Sequence, residues 1–384
     1  MTTTSSPSLA AHRPVDLLVV GAGVVGLSHA LEASDRGASV VVLERDERAV
    51  GASVRNFGHG CFTAQDGVAL DHALAARERW LALAKEVDLG LQETGTLVVA
   101  RADDERAVLE DLATARDGDV RLLDRAAVLS LLPDAGDDVV GGAHLPLDVR
   151  LDQRRAVAEL ARHLDDRPRA AVRWSTTVHG FEPGADGVLV RTSRGTVVAR
   201  RVVVAVGHDV DRHFPELAAE RGVRRCALRM LRVGTPRPTT IAPAVLTGTS
   251  LLRYGAFAVS PALESVRERL AATDAALLDA DVNLMLTQRP DGTLTLGDTH
   301  HRSLTPAPFQ AEELDELLLS HAARLLPGAG PLRVVERWRG VYASAPDPFL
   351  VAEPQPGVHV VSVTSGIGMT TAPGLAAAVL NDVL

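Results

Sequence analysis

The segment that most constrains this chain runs from Val15 to Glu44. VDLLVV (Val15 to Val20) is an unbroken apolar run, the pattern of a strand buried on both faces. Gly21-Ala22-Gly23-Val24-Val25-Gly26 follows, then a helical stretch to about Arg36, with Gly37 as its stop. A second strand, SVVVLE, ends at Glu44. In this βαβ opening Gly21 permits the tight turn, Gly23 lets the backbone approach a pyrophosphate, and Gly26 lets helix and strand pack closely. The helix start at Val24 and Val25 turns N–H groups and a partial positive charge toward phosphates. Glu44, eighteen residues after Gly26, is placed to accept from a ribose hydroxyl and disfavours a 2′-phosphate. A merely tight βα turn accounts for Gly26 but leaves Glu44 unexplained.

Composition narrows the class. The chain has 384 residues, 46% hydrophobic and 23% charged, enough for two domains with their own cores. A net charge of −9 and 3% aromatics argue against a nucleic-acid groove. Cys61 and Cys226 are too few for a disulfide framework or a four-thiolate metal site, so no metal is expected and a reducing compartment fits. Lys85 is the only lysine, which excludes a Walker-type phosphate loop. No run approaches the roughly 18–20 apolar residues of a membrane span. Residues 1–14 read as a disordered tail without a signal peptide's features, and the expected location is cytoplasmic.

Further along, helical spacing covers about 68–87, TGTLVVAR reads as a strand from Thr94, and DDERAVLEDLATARD as an amphipathic helix. A helix from Asp152 to about Leu164 precedes strands over 170–181, 187–192 and 202–207. Strand signals occur between Leu228 and Thr299, including VNLMLTQ and TLTLGDT joined by a Pro290-Asp291-Gly292 turn. Leu314 to Leu326 carries a helical stripe. GVHVVSVT, Ser365-Gly366-Ile367-Gly368 and a small-residue helix from about Ala372 close the chain. The expected class is α/β: a Rossmann-like parallel sheet from 15–88, 145–225 and 331–384. A smaller, mainly antiparallel α+β domain comes from 89–144 and 226–330.

The glycine fingerprint alone does not choose between FAD and NAD. Two other segments do. VVVAVG (Val202 to Gly207) is a second apolar strand ending in glycine, and SVTSGIGMTTAPG (Ser362 to Gly374) is a third strand–turn–helix element. Such a helix start can set N–H groups against the electron-rich edge of a reduced flavin. A simple NAD domain has no need of this carboxy-terminal return.

Together with GASVRNFG (Gly51 to Gly58), Trp338-Arg339-Gly340 and Asp347-Pro348, these segments resemble the D-amino-acid oxidase superfamily, which includes glycine and sarcosine oxidases. The resemblance covers nearly the whole chain. SVRNFG and Gly297-Asp298-Thr299-His300 look like a branch linked to aminophosphonate breakdown. The resemblance implies non-covalent FAD. Arg45, Ala52, Ser53, Asn56, Phe57 and Gly58 would lie along it, with Val178 at the adenine and Ala205, Gly207 and Gly340 beside the cofactor. Gly366, Ile367, Gly368, Met369 and Thr370 would border the isoalloxazine.

Two departures matter. Where glycine-oxidase-like members carry an arginine for the substrate carboxylate, this chain has Tyr342, which cannot form a bidentate charged fork. The lysine that sarcosine-oxidase-like members hold over the flavin is also missing. Flavin amine oxidation is mainly positioning of a neutral amine, so no catalytic triad is expected. For an anion clamp the candidates are Arg55, His59, His300, His301, Arg302 and Tyr342, with Arg253 and Tyr254, read as strand residues, behind them. Trp338 reads as core more than as a substrate wall. The expected activity is oxidation of a small amine, an N-methylated or hydroxylated 2-aminoethylphosphonate, with O2 as reoxidant. The alternative is a glycine- or sarcosine-type substrate. A nucleotide-binding module without turnover and an NAD-only dehydrogenase are the readings from other classes. Oligomeric state stays open.

Overall fold

The structure, a computed structural model, describes residues 14–384, so the expected amino-terminal tail lies outside the described residues except for Pro14. The apolar run forms strand β1 (Val15–Val20), and helix α1 (Val24–Asp35) and strand β2 (Val40–Leu43) follow as the spacing requires. Alternation within β1 explains its composition. Leu17 and Val19 face one core and Leu18 and Val20 another, on opposite sides of the sheet. Helix α2 (Gly67–Leu83) comes next, then strands β3 (Ala170–Arg173) and β4 (Gly195–Val204). In the second half lie β5 (Arg224–Gly234), β6 (Leu294–Gly297), β7 (Arg333–Gln355), β8 (Val358–Ser365) and helix α3 (Gly368–Val383). Strands β3, β2, β1, β4 and β8 lie side by side, all parallel. This is the mixed α/β, Rossmann-like arrangement the opening motif predicts.

The two sheet regions are not separate. β7 spans 23 residues; its first half pairs antiparallel with β5 and its second half with β8. One continuous sheet results, carried across by a single long strand. Pro346 and Pro348 fall where the β7–β8 register shifts between Ser344 and Phe349, a place where a missing N–H costs no ladder bond. Beyond β5 the pairing is mostly antiparallel, through β6 and the strands Met285–Gln288 and Ala244–Leu246. A third core fills this region, including Leu97, Val99, Leu231, Leu286 and Leu318.

Between Leu228 and Thr299 the quoted segments form strands Met285–Gln288 and Leu294–Gly297, but the stretch also holds helices that the sequence reading did not name. Helices Leu263–Thr273 and Ala275–Asp279 interrupt it, with Val266 and Leu270 buried one turn apart. The closing helix also starts earlier, at Gly368 instead of Ala372. Pro373 lies inside it and cannot donate to the Met369 carbonyl. Trp80 of α2, fully buried, supplies that bond instead, its Nε1 donating to Met369 O at 2.9 Å. α2 and α3 touch so closely that a Cβ on Gly374 would lie 2.0 Å from His72 O. Trp80→Phe therefore leaves a buried carbonyl unpaired and is expected to cost about 1–3 kcal/mol, measured as a lower urea midpoint at unchanged slope. No helix among the described residues is long and apolar enough to cross a membrane.

Candidate functional site

A cavity of about 680 Å³ runs along the ends of the parallel strands and on toward the antiparallel part of the sheet. Three separated stretches meet at it. Gly21 has φ +104°, and a Cβ there would sit 2.5 Å from Ala205 O, so the first turn passes directly against the end of β4. A Cβ on Gly368 would lie 3.7 Å from Val24 Cγ1, which places the carboxy-terminal turn beside the amino-terminal one. Gly21, Gly23, Val24, Val25, Ala205, Gly207, Gly366, Ile367, Gly368, Met369 and Thr370 all line the cavity. Neither α1 nor α3 is capped by the side chain of its own N-cap residue, Gly23 or Ile367, and both helix N-termini face this space.

Ala52, Ser53, Asn56 and Phe57 line the same cavity. Ser53 Oγ accepts from Val24 N–H at 2.9 Å, pinning the loop onto the first helix. Asn56 holds that loop in shape, donating to the Ala52 and Ser53 carbonyls and accepting from Gly58 N–H. Glu44 Oε2 accepts from Ala22 N–H and Oε1 from Asp46 N–H. At that far end Arg45 and Val178 also line the cavity. Arg45 pairs with Asp209 at 2.8 Å, and Asp209 is further held by Arg225 and Arg212. Burial pushes the Asp209 carboxyl up, but these arginines outweigh it and hold the group well below the usual carboxylate range.

Gly26 and Gly58 do not line the cavity. Their freedom from a side chain serves close packing. A Cβ on Gly26 would meet Gly21 O at 2.0 Å, and one on Gly58, at φ +68°, would meet Leu151 O at 2.0 Å. Gly58 was expected along the cofactor; it lies behind the wall, where backbone crosses backbone. Gly340 lines the inner half, beside Val341 and Tyr342.

At the inner end the expected clamp divides. Arg55 stands exposed at the edge, donating to Arg339 O, and His59 is buried with Nε2 2.6 Å from Thr96 Oγ1. His300 and Tyr342 line the cavity, but His301 and Arg302 are not among its lining residues. His301, the next residue along the extended chain, faces away from His300 and is exposed, while Arg302 is drawn to Asp281 by an ion pair at 2.6 Å. His300 Nδ1 lies 2.7 Å from Asp281 O, which fixes its proton there. Burial and the nearby Arg253 charge push His300 down to about 3, so its imidazole is neutral. Burial likewise pushes the Cys61 thiol up, beside Asp148 and His59, whose ligand-type atoms lie within 4.8 Å of one another and of its sulfur. Asp148 Oδ1 already accepts from Phe62 N–H, Thr63 N–H and the Thr63 hydroxyl.

Arg253 gains the central place. It lies just after the short helix Gly248–Leu251, in a turn and not in the strand expected for it. Nη2 donates to Tyr342 Oη at 2.7 Å and to Ser365 O at 3.4 Å. Among the described residues no carboxylate lies within 4 Å of its guanidinium, and the half-buried side chain lines the inner end of the cavity. Tyr342, whose phenol burial keeps protonated, is overlaid by Gly366, where a Cβ would touch the ring at 3.0 Å. An arginine therefore does reach the position where the sequence offers only tyrosine, from another element. Asp298, which sequence reasoning quoted but gave no role, also lines this end. Trp338 does not; its Nε1 pins the 51–58 loop through Arg55 O, and Arg154 stacks on its ring.

The family of FAD dependent oxidoreductases denoted DAO matches residues 16–381. A component of the opine oxidase of Agrobacterium tumefaciens (strain Ach5) is 23% identical over 395 residues, covering 96% of this chain and 95% of that one. Among solved structures, glycine oxidase from Geobacillus kaustophilus superposes with a TM-score of 0.76 at 21% identity, covering 97% of this chain and 95% of that one. Mycoplasma pneumoniae L-α-glycerophosphate oxidase with FAD bound gives 0.74 at 18% identity, covering 96% and 95%.

Proposed function

This chain belongs to the DAO family of FAD dependent oxidoreductases, and from that premise we propose that it oxidises a small amine bearing one anionic group. The observation that carries this reading is the Arg253 guanidinium, half-buried at the inner end of the cavity without a carboxylate partner. A cation drawn partly out of water is stabilised when an anion completes it. The residues present fit FAD. The Gly21–Gly26 turn and the start of α1 suit the pyrophosphate, Glu44 the ribose, and residues 366–370 the flavin. When bound, FAD supplies the acceptor for the hydride leaving the carbon beside the substrate nitrogen.

The chain's own residues position and shield. Arg253 binds the anionic end, with the Tyr342 hydroxyl already oriented by its guanidinium. The neutral His300 ring stands edge-on to Tyr342, centroids 6.3 Å apart, and closes that side against water. A single guanidinium at the inner end matches a carboxylate, which favours a glycine- or sarcosine-type substrate. A dianionic aminophosphonate is the narrower reading drawn from the sequence resemblance, and it calls for more cationic groups than Arg253 once His301 and Arg302 lie outside. Hydrolysis of the imine and reoxidation by O2 complete the proposed turnover. Comparing kcat/KM for sarcosine, glycine, D-alanine and 2-aminoethylphosphonate with that for uncharged ethylamine tests the proposal. Preference for an anionic amine by about tenfold or more supports it, and equal turnover of ethylamine contradicts it.

A further inference from the structure

Asp298 follows β6, at the point where the chain leaves the sheet toward His300. Its backbone is held on both sides, its N–H donating to Asn283 O and its carbonyl accepting from Asn283 N–H, each at 2.8 Å. The side chain is buried and lines the inner end of the cavity. Oδ1 is buried with no hydrogen-bond partner, and Oδ2 lies 3.7 Å from His300 Nε2. Because the His300 proton is committed to the Asp281 carbonyl, Nε2 presents a lone pair and offers Asp298 no donor. A buried carboxyl oxygen without a donor is an unusual and costly arrangement in a folded protein. It points to a donor that arrives with the ligand.

We propose that Asp298 is the residue that receives the substrate amine, accepting a hydrogen bond and then a proton from its ammonium group at Oδ1. The inference rests on reading the inner end of the cavity as an amine site. Aliphatic ammonium groups have pKa values near 10, as lysine does, so at neutral pH the substrate arrives protonated. Nitrogen must shed a proton before its lone pair can assist loss of hydride. In the step assigned to Asp298 one N–H bond breaks and one O–H bond forms. No electrons leave the substrate, and the charges of ammonium and carboxylate cancel.

The surroundings suit a base for this task. Burial pushes the Asp298 carboxyl up, to about 7, against the pull of Arg253 and with a push from Asp281. The groups that face it are Arg253, Asp281, His300, Asn283, Tyr254, Tyr342 and the Cys226 thiol. Arg253 and Asp298 would thus hold the two ends of a zwitterion. This division of labour gives an amino acid an advantage over a simple acid or a simple amine.

The test compares wild-type holoenzyme with Asp298→Asn and Asp298→Glu. With whichever of sarcosine, glycine, D-alanine and 2-aminoethylphosphonate turns over best, D298N is expected to lose about 10²–10³-fold in kcat/KM at pH 7. The gap should narrow as pH rises toward the amine's own pKa, where solution supplies neutral amine. D298E should recover part of the loss, and acetate, which lacks an amine, should bind D298N no more weakly than wild type. Independently of turnover, infrared titration of the wild type should show a protonated carboxyl band that disappears as pH rises through neutrality and is missing in D298N. A D298N profile parallel to that of the wild type, or the absence of that band, overturns the assignment. A wild-type flavin that none of these amines reduces contradicts the proposed function itself, a different result.

Discussion

Arg253→Met is expected to raise KM for an anionic amine by about two to three orders of magnitude, while the protein keeps its flavin. Truncating one side of a buried, hydrogen-bonded charge pair typically costs about 2–5 kcal/mol, and each 1.4 kcal/mol is a factor of ten. Arg253 donates to Tyr342 Oη and Ser365 O at the inner end of the cavity, away from the glycine turn and Glu44. Flavin absorbance per chain should therefore be unchanged. Arg253→Lys keeps the charge but loses the planar fork, so an intermediate KM is expected. An uncharged amine should show no difference between wild type and R253M. Steady-state kinetics on the three proteins with both amines checks this. An equal loss on both amines would assign Arg253 to structure alone.

Gly26→Val is expected to yield protein that retains little or no flavin. A Cβ at this position lies 2.0 Å from Gly21 O and 3.2 Å from Val19 Cγ1, and the nearest of these atoms is backbone of the turn itself. Relief requires α1 to back away from β1, which displaces the helix N-terminus and the Gly21–Gly23 turn together. The measurement is flavin released per chain on denaturation, alongside far-ultraviolet dichroism to show that the fold persists. Stoichiometric flavin in G26V would contradict the role given to this turn.

Where sequence and structure agree, the signal is local. β1, α1, β2 and Glu44 sit within thirty residues, and apolar period, glycine position and helix stop each mark their own element. The closing strand–turn–helix was legible for the same reason. His300 and His301 illustrate a signal that was present but unused: neighbours on an extended chain face opposite ways, so only one could enter the cavity. The helix Leu263–Thr273 likewise carries Leu263, Val266 and Leu270 at helical spacing. Arg253 was not legible in this way. Its partner Tyr342 is 89 residues away, brought close by the β5–β7 ladder and the Gly248–Leu251 helix, and no local pattern encodes that meeting. Asp298 is similar, since its importance lies in an oxygen left without a donor, which only the packed arrangement reveals. The length of β7 has no local mark either, since Pro346 and Pro348 lie inside it and the sheet absorbs them at a register shift.

Anaerobic mixing of the purified yellow protein with sarcosine, followed by the loss of the flavin's long-wavelength absorbance, tests the central claim most directly. If one cavity holds FAD and presents an anionic amine to it, glycine, sarcosine or an aminophosphonate should bleach the flavin at a rate that saturates with concentration. Propionate at matched concentration should leave it yellow. A flavin that stays fully oxidised with every anionic amine, or a protein that binds no flavin at all, would contradict the account.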